Sequence, residues 1–155
     1  MHGLLLSRRR AEMKSVEATK KFFEKTLARL NQALVLVEGK HDAAALTRVG
    51  VTAPVIEAGG RKPEQVVSLV LSALKPGQKV VLLFDYDHEG ERKTAVFSEI
   101  LGAAGVVPDA VQRKNFGGIF RVRTVEEVVA ALEKIEKEFS EKKVNLKWEK
   151  LTLTQ

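Results

Sequence analysis

Apolar residues recur along this chain in two alternating rhythms. Between residues 16 and 31, Phe23, Leu27 and Leu30 share one stripe with lysines elsewhere, which predicts a helix. LVLVE (34–38) is an apolar run of strand length, followed by Gly39 and a short helix over about 41–48. PVIE (54–57) reads as a brief strand, and Gly59-Gly60 as a loop. Val66, Val67, Val70, Leu71 and Leu74 line one face of a helix over 64–74, which Pro76-Gly77 stops. KVVLLF (79–84) is strand-like without alternation, so both its faces should be covered, as in a parallel sheet. Helical spacing resumes over 90–104 through Val96, Phe97, Ile100, Leu101 and Ala104.

The remainder reads less regularly. A weak strand is expected near 107–111, then a basic, glycine-containing loop, RKNFGGIFRVR (113–123). Residues 125–139 read as a helix with Val125, Val128, Val129, Leu132, Ile135 and Phe139 inward, opened by a capping-box pair, Thr124 and Glu127. Val144, Leu146 and Trp148 recur at period two, the mark of an edge strand or a dimer contact. No internal repeat or low-complexity linker interrupts the pattern. Strands alternating with helices predict an α/β domain with a mainly parallel sheet, whose ligand site lies beyond the carboxyl ends of its strands.

That expectation turns the acidic residues into a geometry. Glu38 ends one predicted strand, and LLFDYDHEGE (82–91) ends another with Asp85, Asp87, Glu89 and Glu91. In extended chain Asp85 and Asp87 point the same way and Tyr86 points away, toward the core. Converging carboxylates suit Mg²⁺, a hard ion that prefers oxygen and can bridge to phosphate. The plainer reading is a helix N-cap with acids in the first turn. Glu38, followed by Gly39 and Lys40, adds an acid at the same edge and favours the ion.

VEGKHDAAAL (37–46) together with LLFDYDHEGE resembles the Toprim domain, shared by type IA and type II topoisomerases, bacterial-type primases, old-family nucleases, recombination-repair proteins and the ribonuclease that matures 5S ribosomal RNA. The match lies in Glu38-Gly39, then Asp85, Asp87, Glu89 and Gly90. The resemblance implies a Rossmann-like Toprim domain over 33–123, with about four mainly parallel strands flanked by helices. A basic arm and helix (1–32) and a C-terminal helix and tail (124–155) would be added to it. It implies Glu38 as general acid/base and Mg²⁺, with Mn²⁺ able to substitute, held by Asp85, Asp87 and Glu89. EGKHDAAAL is most similar to the 5S-maturing ribonuclease and to small stand-alone Toprim proteins, whereas HEGER is closer to topoisomerases. A haloacid-dehalogenase phosphatase also starts Asp-x-Asp, but it wants Thr or Val where this chain has Glu89.

Composition narrows the class. The chain has 155 residues, 45% of them apolar, enough for one compact domain with a sizeable core. Its 26 Lys and Arg exceed its 20 Asp and Glu, which points toward a polyanionic partner. No cysteine is present, so zinc modules of the primase kind are excluded and a cytoplasmic setting is expected. The only tyrosine is Tyr86, inside the acid motif, so a topoisomerase nucleophile in a separate domain is missing. No P-loop motif occurs. The opening MHGLLLSRRR places its leucines before its arginines, the reverse of a secretion signal, and no run approaches membrane-span length.

Lys40, Arg61, Lys62, Arg92 and Lys93 follow predicted strand ends or open helices beside the acids. Arg113, Lys114, Arg121 and Arg123 lie in the later segment among Phe116 and Phe120. Taken singly each reads as surface charge; as a set they suit phosphate contact, with a phenylalanine stacking on an unpaired base. Arg8, Arg9 and Arg10 read as a disordered basic arm. His41 and His88 read as exposed residues at helix starts. The expected function is a Mg²⁺-dependent nuclease of RNA or DNA. The alternative is a non-catalytic nucleic-acid-binding or scaffold subunit of a replication, repair or ribosome-associated complex. A homodimer stays open.

Overall fold

The computed structural model describes residues 2–153. A long helix, α1 (His2–Leu30), leads into strand β1 (Leu34–Val37) and helix α2 (Lys40–Arg48). Strand β2 (Val55–Glu57), helix α3 (Pro63–Ala73), strand β3 (Val80–Leu82) and helix α4 (His88–Ala103) follow. Helix α5 (Ala110–Phe120), a 3₁₀ turn (Val125–Glu127) and a second long helix, α6 (Val128–Leu153), complete the order. Among the described residues no helix is long and apolar enough to cross a membrane.

The sheet is parallel, with order β2–β1–β3. Val35 pairs with Val55 on one side and Val81 on the other. Every β1 residue is buried, because alternate side chains enter two separate cores. Val35, Val37, Val81 and Leu83 pack with Leu30, Leu46, Phe116, Phe120 and Val128, beneath α1, α2, α5 and α6. Leu34, Leu36, Val80, Leu82 and Phe84 pack with Val66, Val70, Phe97 and Leu101 of α3 and α4. Two covered faces account for the missing alternation in both strands.

Three strands form among the described residues rather than about four. The segment before α5 touches the sheet once, where Asp109 N donates to Val80 O at 2.8 Å. Asp109 then caps α5, its Oδ1 accepting from Val111 N and Gln112 N. The expected basic loop is α5 itself. Its glycines hid a helical stripe of Phe116, Ile119 and Phe120, all buried. Gly117 is there for packing: a Cβ would stand 2.5 Å from the Tyr86 ring. α5 ends at Arg121, which adopts φ 51° and ψ 42° in the left-handed region.

The tail is helical too, not an edge strand. Along α6 the buried or half-buried positions Val128, Leu132, Ile135, Phe139, Lys142 and Leu146 step by four and three residues. α1 answers with Leu6, Arg9, Met13, Val16, Lys20, Phe23, Leu27 and Leu30. This is the seam of a two-helix coiled coil, and Lys20 Nζ lies 4.2 Å from the Phe139 ring centroid across it. Met13 and Val16 are buried yet belong to neither sheet core, so the far half of the pair packs only helix on helix. Arg8, Arg9 and Arg10 are part of α1 rather than a disordered arm.

Candidate functional site

Glu38 leaves the end of β1, and Asp85 lies just past the end of its parallel neighbour β3. Because the two strands are parallel neighbours, both acids fall on one rim. Lys93 of α4 reaches across to Glu38, Nζ to Oε2 2.8 Å. Asp85 Oδ1 accepts from Val125 N at 2.8 Å, which docks the 3₁₀ turn beside it. Asp42, in the first turn of α2, has its carboxyl pushed above the usual range. Burial is the main cause, opposed by the Gly39 N–H, and the negative charges of Asp85, Glu126 and Glu38 add to it.

The backbone is shaped to bring these groups close. Gly59 N donates to Glu38 O at 2.7 Å, and a Cβ on Gly59 would lie 2.6 Å from that oxygen. Gly90 admits α4 against the acid loop: a Cβ there would fall 1.9 Å from Asp85 O. Asp87 is the N-cap of α4, its Oδ1 accepting from Gly90 N at 2.8 Å. The helix-cap reading of Asp87 therefore holds; its second oxygen takes no part in that bond. Tyr86 turns inward, as the alternation requires, and its hydroxyl donates to Arg113 O at 2.7 Å. Burial raises that phenol well above its ordinary value.

Glu89 stands apart from this group. It is exposed and pairs with Arg92, Nη2 to Oε1 2.6 Å, and that hydrogen bond holds its carboxyl below the usual range. Arg92 is raised by the same bond. Among the described residues no three Asp, Glu or His side chains close on one point at ligating distance.

The cations divide into several uses. Arg113 is not a phosphate contact: it is 6% exposed and acts as a clamp under the rim. Its Nη1 donates to Phe84 O at 2.5 Å and to Leu82 O at 3.3 Å. Its Nη2 donates to Asp85 O at 2.9 Å and to Glu91 Oε1 at 2.8 Å. The guanidinium also stacks 4.2 Å from the Tyr86 ring centroid. Phe116 and Phe120 are likewise core residues, not stacking platforms. Arg61 Nε donates to Glu57 O at 3.0 Å beside the end of β2. Lys40, Lys62 and Lys114 are exposed, as are Arg121 and Arg123. Arg123 O accepts from Tyr86 N, tying the acid loop to the turn before α6.

Sequence reasoning missed Asp42 and Glu126. Asp42 carried a local signal, an acid three residues after Gly39 at a helix start, and its Oδ2 accepts from Gly39 N at 3.1 Å. Glu126 carried none, since only the docking of the 3₁₀ turn on α2 brings it near.

A parallel sheet with carboxylates gathered at the ends of adjacent strands defines a class, the α/β domains that bind at their C-terminal rim. Within it, this chain belongs to the Toprim domain family, whose match spans residues 32–112. It is similar to a UPF0292 protein of Archaeoglobus fulgidus, 32% identical over 107 residues, which span 68% of this chain and 81% of that one. It is also similar to the solved structure of a protein from Aquifex aeolicus, with 30% identity and a TM-score of 0.57, covering 70% of this chain and 95% of that one. The whole of α1 and of α6 and most of α5 lie outside the family match. The family associates the domain with metal binding and with nucleic acid. The donors here fit Mg²⁺ in kind: they are carboxylate oxygens, and Asp85 and Asp87 each use only Oδ1 in the bonds to Val125 and Gly90.

Proposed function

We propose that this protein is a Mg²⁺-dependent enzyme acting on the phosphodiester backbone, a nuclease of RNA or DNA. The observation that carries the reading is Glu38 and Asp85 on one rim, at the ends of adjacent parallel strands. Asp85 and Asp87 would hold the ion, which would polarise a phosphate and offset charge as the bond breaks. Glu38 moves the proton. Lys93 pairs with it at 2.8 Å until a substrate phosphate draws the ammonium away. Arg113 fixes the backbone under Asp85, so the rim keeps its shape. Glu89, held by Arg92, would assist only after releasing that partner. Cavities of about 470 and 810 Å³ lie elsewhere and include none of the rim acids.

End-labelled RNA and DNA incubated with Mg²⁺ test the proposal. Wild type should cleave one of them, and Glu38→Gln and Asp85→Asn should each lose roughly 10²- to 10⁴-fold in rate. Equal rates for all three proteins would refute it. The Lys93–Glu38 ion pair favours a second reading, a binding subunit that does not cut, because it neutralises the proposed base. Salt-sensitive binding with no turnover in Mg²⁺ or Mn²⁺ would select that reading.

A further inference from the structure

We propose that the far end of the α1–α6 pair is a docking surface for single-stranded nucleic acid, distinct from the acidic rim. The first ground is where the charge sits. Residues 2–14 of α1 and 141–153 of α6 carry eight Lys and Arg against three Glu, a net +5. The whole chain carries only +6, so the remainder is close to neutral. A polyanion approaching this molecule is drawn to the arm and repelled by the rim's carboxylates.

The second ground is the pattern on α6. Lys143, Lys147 and Lys150 stand four and three residues apart, on one stripe of the helix. Val144, Trp148 and Leu151 form the adjacent stripe, 51%, 66% and 51% exposed. Neither stripe is the seam, which Lys142 and Leu146 continue toward α1. A basic ridge beside an apolar ridge that bears an exposed indole is the arrangement single-stranded nucleic acid uses. Phosphates follow the cations, and unpaired bases lie on the ring. On α1, Arg8, Arg10 and Lys14 are exposed near the same end.

Other occupants fit less well. A second copy would bring +5 against +5, which like-charge repulsion opposes. A membrane surface would need one broad apolar face lying in plane, whereas the exposed apolar residues of this end are divided between two helices, Leu4 and Leu5 on α1 and Val144, Trp148 and Leu151 on α6, with Lys143, Lys147 and Lys150 beside the latter. The proposal stands apart from the phosphodiester reading, because it needs neither Glu38 nor a metal.

Trp148 is the single tryptophan, so its fluorescence reports directly on the surface. Full-length protein in EDTA, where Mg²⁺-dependent cutting stops, is titrated with a mixed-sequence single-stranded 20-mer at several salt concentrations. Quenching is expected, with affinity falling steeply as salt rises. Replacing Arg10, Lys14, Lys143 and Lys147 together by Gln should lower affinity roughly 10- to 100-fold and reduce the log–log salt slope by about 3. Trp148→Ala, followed by anisotropy of a labelled 20-mer, should weaken binding about 10-fold and leave the slope unchanged. Circular dichroism of both variants matching wild type shows that the helices persist. Three results would overturn the proposal: no fluorescence response to the 20-mer, a fourfold variant with wild-type affinity and slope, or quenching by anionic phosphatidylserine vesicles alone. Inactive protein that still binds through the arm would leave this inference standing.

Discussion

Arg113 shows how far a residue's use can depart from its type. Read along the chain it is one cation among many in RKNFGGIFRVR. Folded, it is a planar fork with donors matched to three carbonyls and a carboxylate, and its face lies on Tyr86. A lysine can neither span those acceptors nor stack in that way. Arg113→Lys should therefore destabilise the protein by about 3 kcal/mol, since buried acceptors lose their donors. Urea unfolding at pH 7 measures this, and a loss below about 0.5 kcal/mol would show that the clamp is dispensable. Glu38, Asp85 and Asp87 could be placed at strand ends before any coordinates, because strand length and burial were written in the apolar runs. Arg113 could not, because its role depends on α5 lying against β3.

The elements were legible where they meet the sheet. All three strands, α2, α3 and α4 fall within a few residues of the periodic segments that predicted them. The strand expected near 107–111 and the disordered arm at residues 8–10 were misread, and two larger readings failed, each for a physical reason. The two glycines of α5 lower helix propensity and imitate a loop, yet Gly117 answers a contact with Tyr86 that no local pattern records. The tail failed because 144, 146 and 148 alternate by chance. The seam positions 139, 142 and 146 carry the true spacing, and Lys142 within that seam masks it. The end of α5 offers a direct test. Arg121 occupies the left-handed region, which costs a side-chain-bearing residue about 1 kcal/mol relative to glycine. Arg121→Gly should raise stability by roughly that amount in thermal melts. An unchanged or lower melting temperature would mean that the arginine side chain makes compensating contacts.

Across the whole molecule, charge is divided between two places, carboxylates at the sheet rim and cations at the arm. The rim's crowding has a consequence for stability. Asp42 is already pushed toward its neutral form by burial and by its acidic neighbours, so a divalent cation should relieve the folded state and not the unfolded one. Mg²⁺ at about 100 times its Kd should add about 2.7 kcal/mol to the unfolding free energy. Asp85→Asn, which keeps an acceptor for Val125 N–H, should abolish that increment. Calorimetry with and without the ion reads it, and an equal gain in both proteins would place the ion elsewhere.

The pairing of α1 with α6 also sets an order of events during translation. α1 is the first of the described elements to be made, and α6 is the last. Met13 and Val16 therefore have no lasting cover until the nascent chain has been extended by more than a hundred residues. Contacts so distant along the chain form slowly, and an uncovered apolar helix face invites association with other unfinished chains. The Toprim sheet can assemble beforehand, so the arm closes as the final step of folding.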